Sequence, residues 1–82
     1  IRFMKLKIIY LGKIKELTEK DNQQIEIEKG MSVQDLIDQL TVEYPHLAFE
    51  SFQISVNRNL VEFSHVLTEE ADIALLPPFS GG

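Results

Sequence analysis

Six consecutive residues, Pro77-Pro78-Phe79-Ser80-Gly81-Gly82, hold the one group in the sequence whose surroundings suit covalent chemistry, the carboxylate of Gly82. A carboxylate with no side chain beside it can enter a narrow channel, and Gly81 and Gly82 lack the Cβ atoms that would keep such a channel from closing on their backbone. Pro77 and Pro78 hold φ near −65° and remove two amide donors, so a strand before them cannot extend its ladder and the chain must leave in an extended direction. Fully extended, the stretch from Pro77 to Gly82 would reach roughly 20 Å, enough to enter another protein's active site while the body stays outside. A terminal Gly-Gly alone is weak, because small residues are common at frayed chain ends. A solvated end would not carry a large apolar residue such as Phe79 between the prolines and the glycines, so Phe79 reads as a docking residue. An α-carboxyl has a pKa of about 3.3 to 3.7, so at neutral pH it is an anion and a poor acyl electrophile that must first be activated.

Elsewhere the reactive residue types stand without partners. His46 follows Pro45 in an expected loop and His65 lies in a polar connection; with no cysteine and no i, i+4 histidine pair, neither points to a metal site. Ser51, Ser55, Ser64 and Ser80 have no recognisable base, no glycine-rich phosphate loop is present, and the acids are spread over solvated faces. Lys13 and Lys15 could meet an acidic partner, although solvated lysines are the commoner arrangement. The sequence therefore offers no catalytic residue of its own, and the chemistry must be completed by another protein.

The elements that would position the tail follow from the patterning. Eighty-two residues make one domain near the lower limit of a single unstapled core. The absence of cysteine gives no reason to expect an oxidising compartment, and no apolar run approaches a membrane span, so a cytoplasmic protein is expected. A net charge of −5 disfavours nucleic acid and anionic lipid and favours a basic partner surface. Met4 begins a clean strand pattern and reads as the natural start, which sets Ile1-Arg2-Phe3 aside and gives a domain over 4–76 followed by a tail over 77–82.

From Lys5 to Leu11 the residues alternate, with Leu6, Ile8 and Tyr10 on one face and Lys5, Lys7, Ile9 and Leu11 on the other, a first strand whose outer face turns apolar at its end. Gly12 to Leu17 is expected to form a helical turn with Ile14 and Leu17 inward, then a polar loop to Gln23. Gln24 to Glu28 is a second strand. Ser32 and Asp35 form a capping-box variant opening a helix with Val33, Leu36, Ile37, Leu40 and Tyr44 on its apolar stripe, which Pro45 ends. Ser51 to Val56 alternates as a third strand, and Asn57-Arg58-Asn59 is a turn before the short strand Leu60-Val61. Val66 and Leu67 are expected to plug the core, and Ile73 to Leu76, apolar on both faces, is a central last strand. One helix against a mixed sheet of four to five strands is α+β.

The ending Leu76-Pro77-Pro78-Phe79-Ser80-Gly81-Gly82, together with Val56-Asn57-Arg58-Asn59-Leu60-Val61, resembles the small subunit of molybdopterin synthase, within the MoaD/ThiS-like family of sulfur carriers; the likeness runs from Met4 to Gly82. The resemblance implies a β-grasp, ubiquitin-like fold, in which the last strand pairs in parallel with the first. It implies that an E1-like enzyme uses ATP to adenylate Gly82, that a sulfur donor displaces AMP to leave a thiocarboxylate, and that residues 77–81 thread into the large subunit of molybdopterin synthase. There sulfur passes to a cyclic pterin precursor, with the catalytic groups in the large subunit and no cofactor bound to this chain. In such a fold Leu11, Leu60 and Leu76 either form an exposed partner-contact patch or are covered by loops. The patterning does not choose between these, and the resemblance favours the patch. Three other functions share the tail: a sulfur carrier for thiamine thiazole synthesis, a ubiquitin-like protein modifier, and an interaction domain with an inert tail.

Overall fold

The computed structural model describes residues 2–78. The first strand, β1 (Phe3–Tyr10), leads into a short helix, α1 (Lys13–Thr18), and returns as β2 (Asn22–Glu28). Their antiparallel register runs from Phe3↔Glu28 to Ile9↔Asn22. Asn22 and Gln23, expected in a polar loop, belong to β2 because this pairing continues to the end of β1. Ile14 anchors α1 in the core, with Leu17 packed against it.

The main helix, α2 (Val33–Glu43), starts where the sequence placed it. Ser32 Oγ accepts from the Asp35 amide at 3.1 Å and Asp35 Oδ2 accepts from the Ser32 amide at 3.0 Å, so two of the free donors of the first turn are satisfied reciprocally. Val33, Leu36, Ile37 and Leu40 are buried, and Tyr44 caps the C-terminal end. Pro45 ends α2 but does not open a plain loop. With its φ preset for a first helical position, it begins a 3₁₀ turn, Pro45–Phe49, that buries Leu47.

β3 (Gln53–Val56) and β4 (Asn59–Val61) form a tight hairpin. Its two central residues, Asn57 and Arg58, have φ of 48° and 72°. Two successive positive φ values match the right-handed twist of the flanking strands. β3 begins two residues later than expected. Phe52 lies just outside it, stacked on Phe63 with ring centroids 6.0 Å apart. Val66 corrects the expectation that it plugs the core: it is 50% exposed while Leu67 is 2% exposed. An antiparallel bridge between Val66 and Ser32 holds this segment extended, so neighbouring side chains face opposite ways.

The last strand, β5 (Ala71–Leu76), starts two residues before the expected Ile73 and lies in the middle of the sheet, whose order is β2-β1-β5-β3-β4. It runs parallel to β1, with Leu6↔Ala71, Ile8↔Ile73 and Tyr10↔Leu75 in register, and antiparallel to β3. Leu6, Ile8, Tyr10, Ile54, Ile73 and Leu75 point to the side covered by α2 and make the core with its buried stripe. The parallel pair requires a crossover, and here the rest of the domain supplies it. Among the described residues no helix is long and apolar enough to cross a membrane.

Candidate functional site

The central strand ends at Leu76, and the exposed Pro77 and Pro78 follow with no further strand pairing. A last cross-link, from the Leu11 amide to the Leu75 carbonyl at 3.3 Å, ties the end of β1 to the end of β5. Beyond it Gly12 turns away with φ 58° and ψ −133° as the N-cap of α1. A Cβ built on Gly12 would lie 2.9 Å from Pro77 Cγ, so the proline ring rests against bare glycine backbone. The predicted threading residues Phe79, Ser80 and Gly81, and the predicted reacting Gly82, lie outside the described residues.

The strand registers locate the three predicted leucines. Ile9, Ala74, Ser55 and Leu60 form one row across β1, β5, β3 and β4. One pleat further on, Leu11 falls beside Leu76, which is paired with Gln53. These residues have the opposite parity to Leu6, Ile8 and Leu75, so they face away from α2. Leu60 and Leu11 are 57% and 39% exposed, and Leu76 is half-buried. No loop covers Leu60 or Leu11 among the described residues, and the three leucines share one face at the root of the tail.

Two lysines of α1 form ion pairs. Lys13 Nζ lies 3.4 Å from Glu50, and Lys15 Nζ lies 2.8 Å from Asp21. The Asp21 carboxylate, by hydrogen bond and charge, holds the Lys15 ammonium above its ordinary pKa. His46 and His65 are exposed in separate connections, and no three His, Cys, Asp or Glu residues are placed to hold a metal ion among the described residues.

Beneath the tail root, on the α2 side, the core ends in a polar lock that the sequence reading missed. Gln23 Oε1 accepts from Tyr10 Oη at 2.9 Å and from Tyr44 Oη at 2.7 Å, while Gln23 Nε2 donates to Glu43 Oε1 at 3.1 Å. The Tyr10 and Tyr44 rings meet edge to face with centroids 6.1 Å apart. Burial, assisted by Tyr44 and Glu43, pushes the Tyr10 phenol well above its ordinary range, and the hydrogen bond from Gln23 is the main cause that holds the Glu43 carboxyl down, with the Lys20 charge assisting. Held by Gln23, the Tyr10 phenol braces the end of β1 against β2. Nothing in the local sequence signals this lock, since Gln23 reads as an ordinary polar residue until β2 is paired to its first residue. Gly12 was likewise legible as a helix start and not as the seat of Pro77.

A five-stranded mixed sheet grasping one main helix, with a central parallel last strand that leads out into a tail, defines a ubiquitin-like β-grasp protein. The chain belongs to the ThiS family, whose model matches residues 8–82. It is 30% identical over 82 residues to the molybdopterin synthase sulfur carrier subunit of Mycobacterium tuberculosis, covering 96% of this chain and 99% of that protein. Among solved structures it superposes on a putative molybdopterin converting factor, subunit 1, from Pyrococcus furiosus with a TM-score of 0.85 at 23% identity, covering 93% of this chain and 99% of that one. It also superposes on a chain of the complex of subunits 1 and 2 of molybdopterin-converting factor from Helicobacter pylori, with a TM-score of 0.63 at 23% identity, covering 96% of this chain and 100% of that one.

Proposed function

We propose that this chain is the sulfur-carrier subunit of a molybdopterin synthase and that Gly82 carries the sulfur. The observation that supports this most directly is the exit of the central strand: β5 runs between β1 and β3 into Pro77 and Pro78, beside an exposed leucine face. Family membership and the curated relative's name point the same way.

In this reading the body is a handle and the tail is a tethered co-substrate. An E1-like enzyme joins the Gly82 carboxylate to the AMP part of ATP and releases pyrophosphate. Sulfur from a donor then attacks the acyl carbon, AMP leaves, and a thiocarboxylate remains. The tail enters the large subunit, the sulfur passes to the cyclic pterin precursor, and hydrolysis restores the carboxylate. The Helicobacter pylori neighbour, a complex of subunits 1 and 2, supports the large-subunit partner. This chain contributes position: a tail fixed at one end to a rigid sheet raises the effective concentration of its terminus in the partner's site.

Intact mass spectrometry after incubation with the cognate adenylating enzyme, ATP and a sulfur source tests the reading. The expected product is heavier by the difference between one sulfur and one oxygen, at Gly82. One residue added after Gly82 should abolish the conversion and leave the fold unchanged. Isopeptide products in place of the thiocarboxylate would make the chain a modifier, and no reaction with a competent enzyme would overturn the proposal.

A further inference from the structure

Two glycines of known conformation take a positive φ, Gly12 at 58° and Gly30 at 98°, and they differ in what surrounds them. A Cβ on Gly30 would meet nothing within 4 Å, whereas the three nearest atoms to a Cβ on Gly12 are Pro77 Cγ at 2.9 Å, Cδ at 3.8 Å and Cβ at 4.0 Å. Gly30 satisfies a backbone requirement alone. Gly12 satisfies the same requirement and also leaves room for one specific ring.

We propose that Gly12 is a positioning residue for the reaction, setting the direction in which the tail leaves the body by seating the Pro77 ring on its bare Cα. The inference rests on the reading of the tail as the reacting arm. Both sides of the contact are held. The Leu11 carbonyl accepts from the Ile14 amide at 3.2 Å and the Gly12 carbonyl accepts from the Lys15 amide at 3.1 Å, which fixes Gly12 to α1 and its buried Ile14. Pro77 follows directly on β5, has a preset φ and has no amide to extend the ladder, so the seat of its ring selects the exit angle. A shift in the direction of the chain at Pro77 is passed on to every residue that follows it and grows with distance along the chain. A Cβ at position 12 displaces the ring and reduces the fraction of tails aimed productively, and the apparent affinity for any enzyme that must take up the terminus falls by that fraction.

The test is ATP–pyrophosphate exchange by the cognate adenylating enzyme, with the carrier as the varied substrate. Gly12→Ala should raise KM for the carrier about tenfold and leave kcat within about twofold, the pattern of lost ground-state positioning. In a Pro77→Ala background the same Gly12→Ala change should add almost nothing to KM, since the ring it displaces is gone. Gly30→Ala also puts a side chain at a positive φ, but with no neighbour within 4 Å, and should lower Tm while leaving KM unchanged. An unchanged KM for Gly12→Ala, or an equal rise in the Pro77→Ala background, overturns the inference. Absence of a nuclear Overhauser contact between the Gly12 α-protons and the Pro77 ring in the unaltered protein overturns it without any substitution. A wild-type chain that a competent enzyme never activates overturns the functional reading instead, so the two failures are separable.

Discussion

On the side of the sheet that α2 covers, Leu6, Ile8, Ile54, Ile73 and Leu75 are at most 1% exposed, whereas on the other side Leu60 and Leu11 are 57% and 39% exposed. The same alternating strands feed both sides, so strand propensity does not explain the difference. The inner side is closed by the helix stripe and sealed at one end by the Tyr10–Gln23–Tyr44 lock. After the exposed Phe3 at the start of β1, the outer side is charged at Lys5, Lys7 and Asp72 and turns apolar again toward the exit of the tail. The helix side thus holds the fold, and under the proposed function recognition falls to the opposite face, so substitutions should separate the two.

The largest effect is expected from the inner face. Ile73→Ala, at the centre of β5 with no exposure, should cost about 2 to 5 kcal/mol of unfolding free energy in urea titration. A cost below about 1 kcal/mol would break the comparison, because it would mean that the helix side is not where the fold is held. Leu60→Lys is the counterpart on the outer face. At an exposed edge-strand position it should change stability by no more than about 0.5 kcal/mol, yet weaken binding to the large subunit at least about tenfold by isothermal titration calorimetry. Equal losses in both measurements would sink the separation of roles. The smallest effect concerns the hairpin that carries Leu60. Arg58 has φ 72°, a conformation that costs a side-chain-bearing residue about 1 to 2 kcal/mol, part of which a glycine gives back through its freer unfolded chain. Arg58→Gly should therefore raise stability by about 0.5 kcal/mol and leave partner affinity unchanged, which thermal melts and the same calorimetry would check.

The inner face was the more legible of the two. Its residues declare themselves through period-2 and helical spacing, and the Ser32–Asp35 cap is a local hydrogen-bond pattern that needs no tertiary information. The parallel partnership of β1 and β5 was permitted by the patterning and selected by the family resemblance, because strand order depends on contacts between residues some 65 positions apart in the chain. Reading Pro45 as a helix end was half of the answer, since the same ring that stops α2 is a good first residue for a 3₁₀ turn. Val66 and Leu67 were indistinguishable as an apolar pair until the Ser32 bridge set which of them faced inward. The candidate site divides the same way. Leu11 and Leu76 read as outward from alternation, the family resemblance favoured a patch that includes Leu60, and the register brings the three to one face; Gly12 and Gln23 act through partners distant in sequence, which no local pattern encodes.

The central position of β5 also bears on the closing of the sheet. Of the five strands, the one that leads to the tail comes last in the sequence, and it must slot between β1 and β3, which cannot close into one sheet without it. A chain that stops before β5 therefore cannot bring Leu11 and Leu60 onto one sheet face. The strand that completes the sheet is thus also the one that delivers the chain to Pro77 and Pro78, so closure of the sheet and placement of the tail root are a single event.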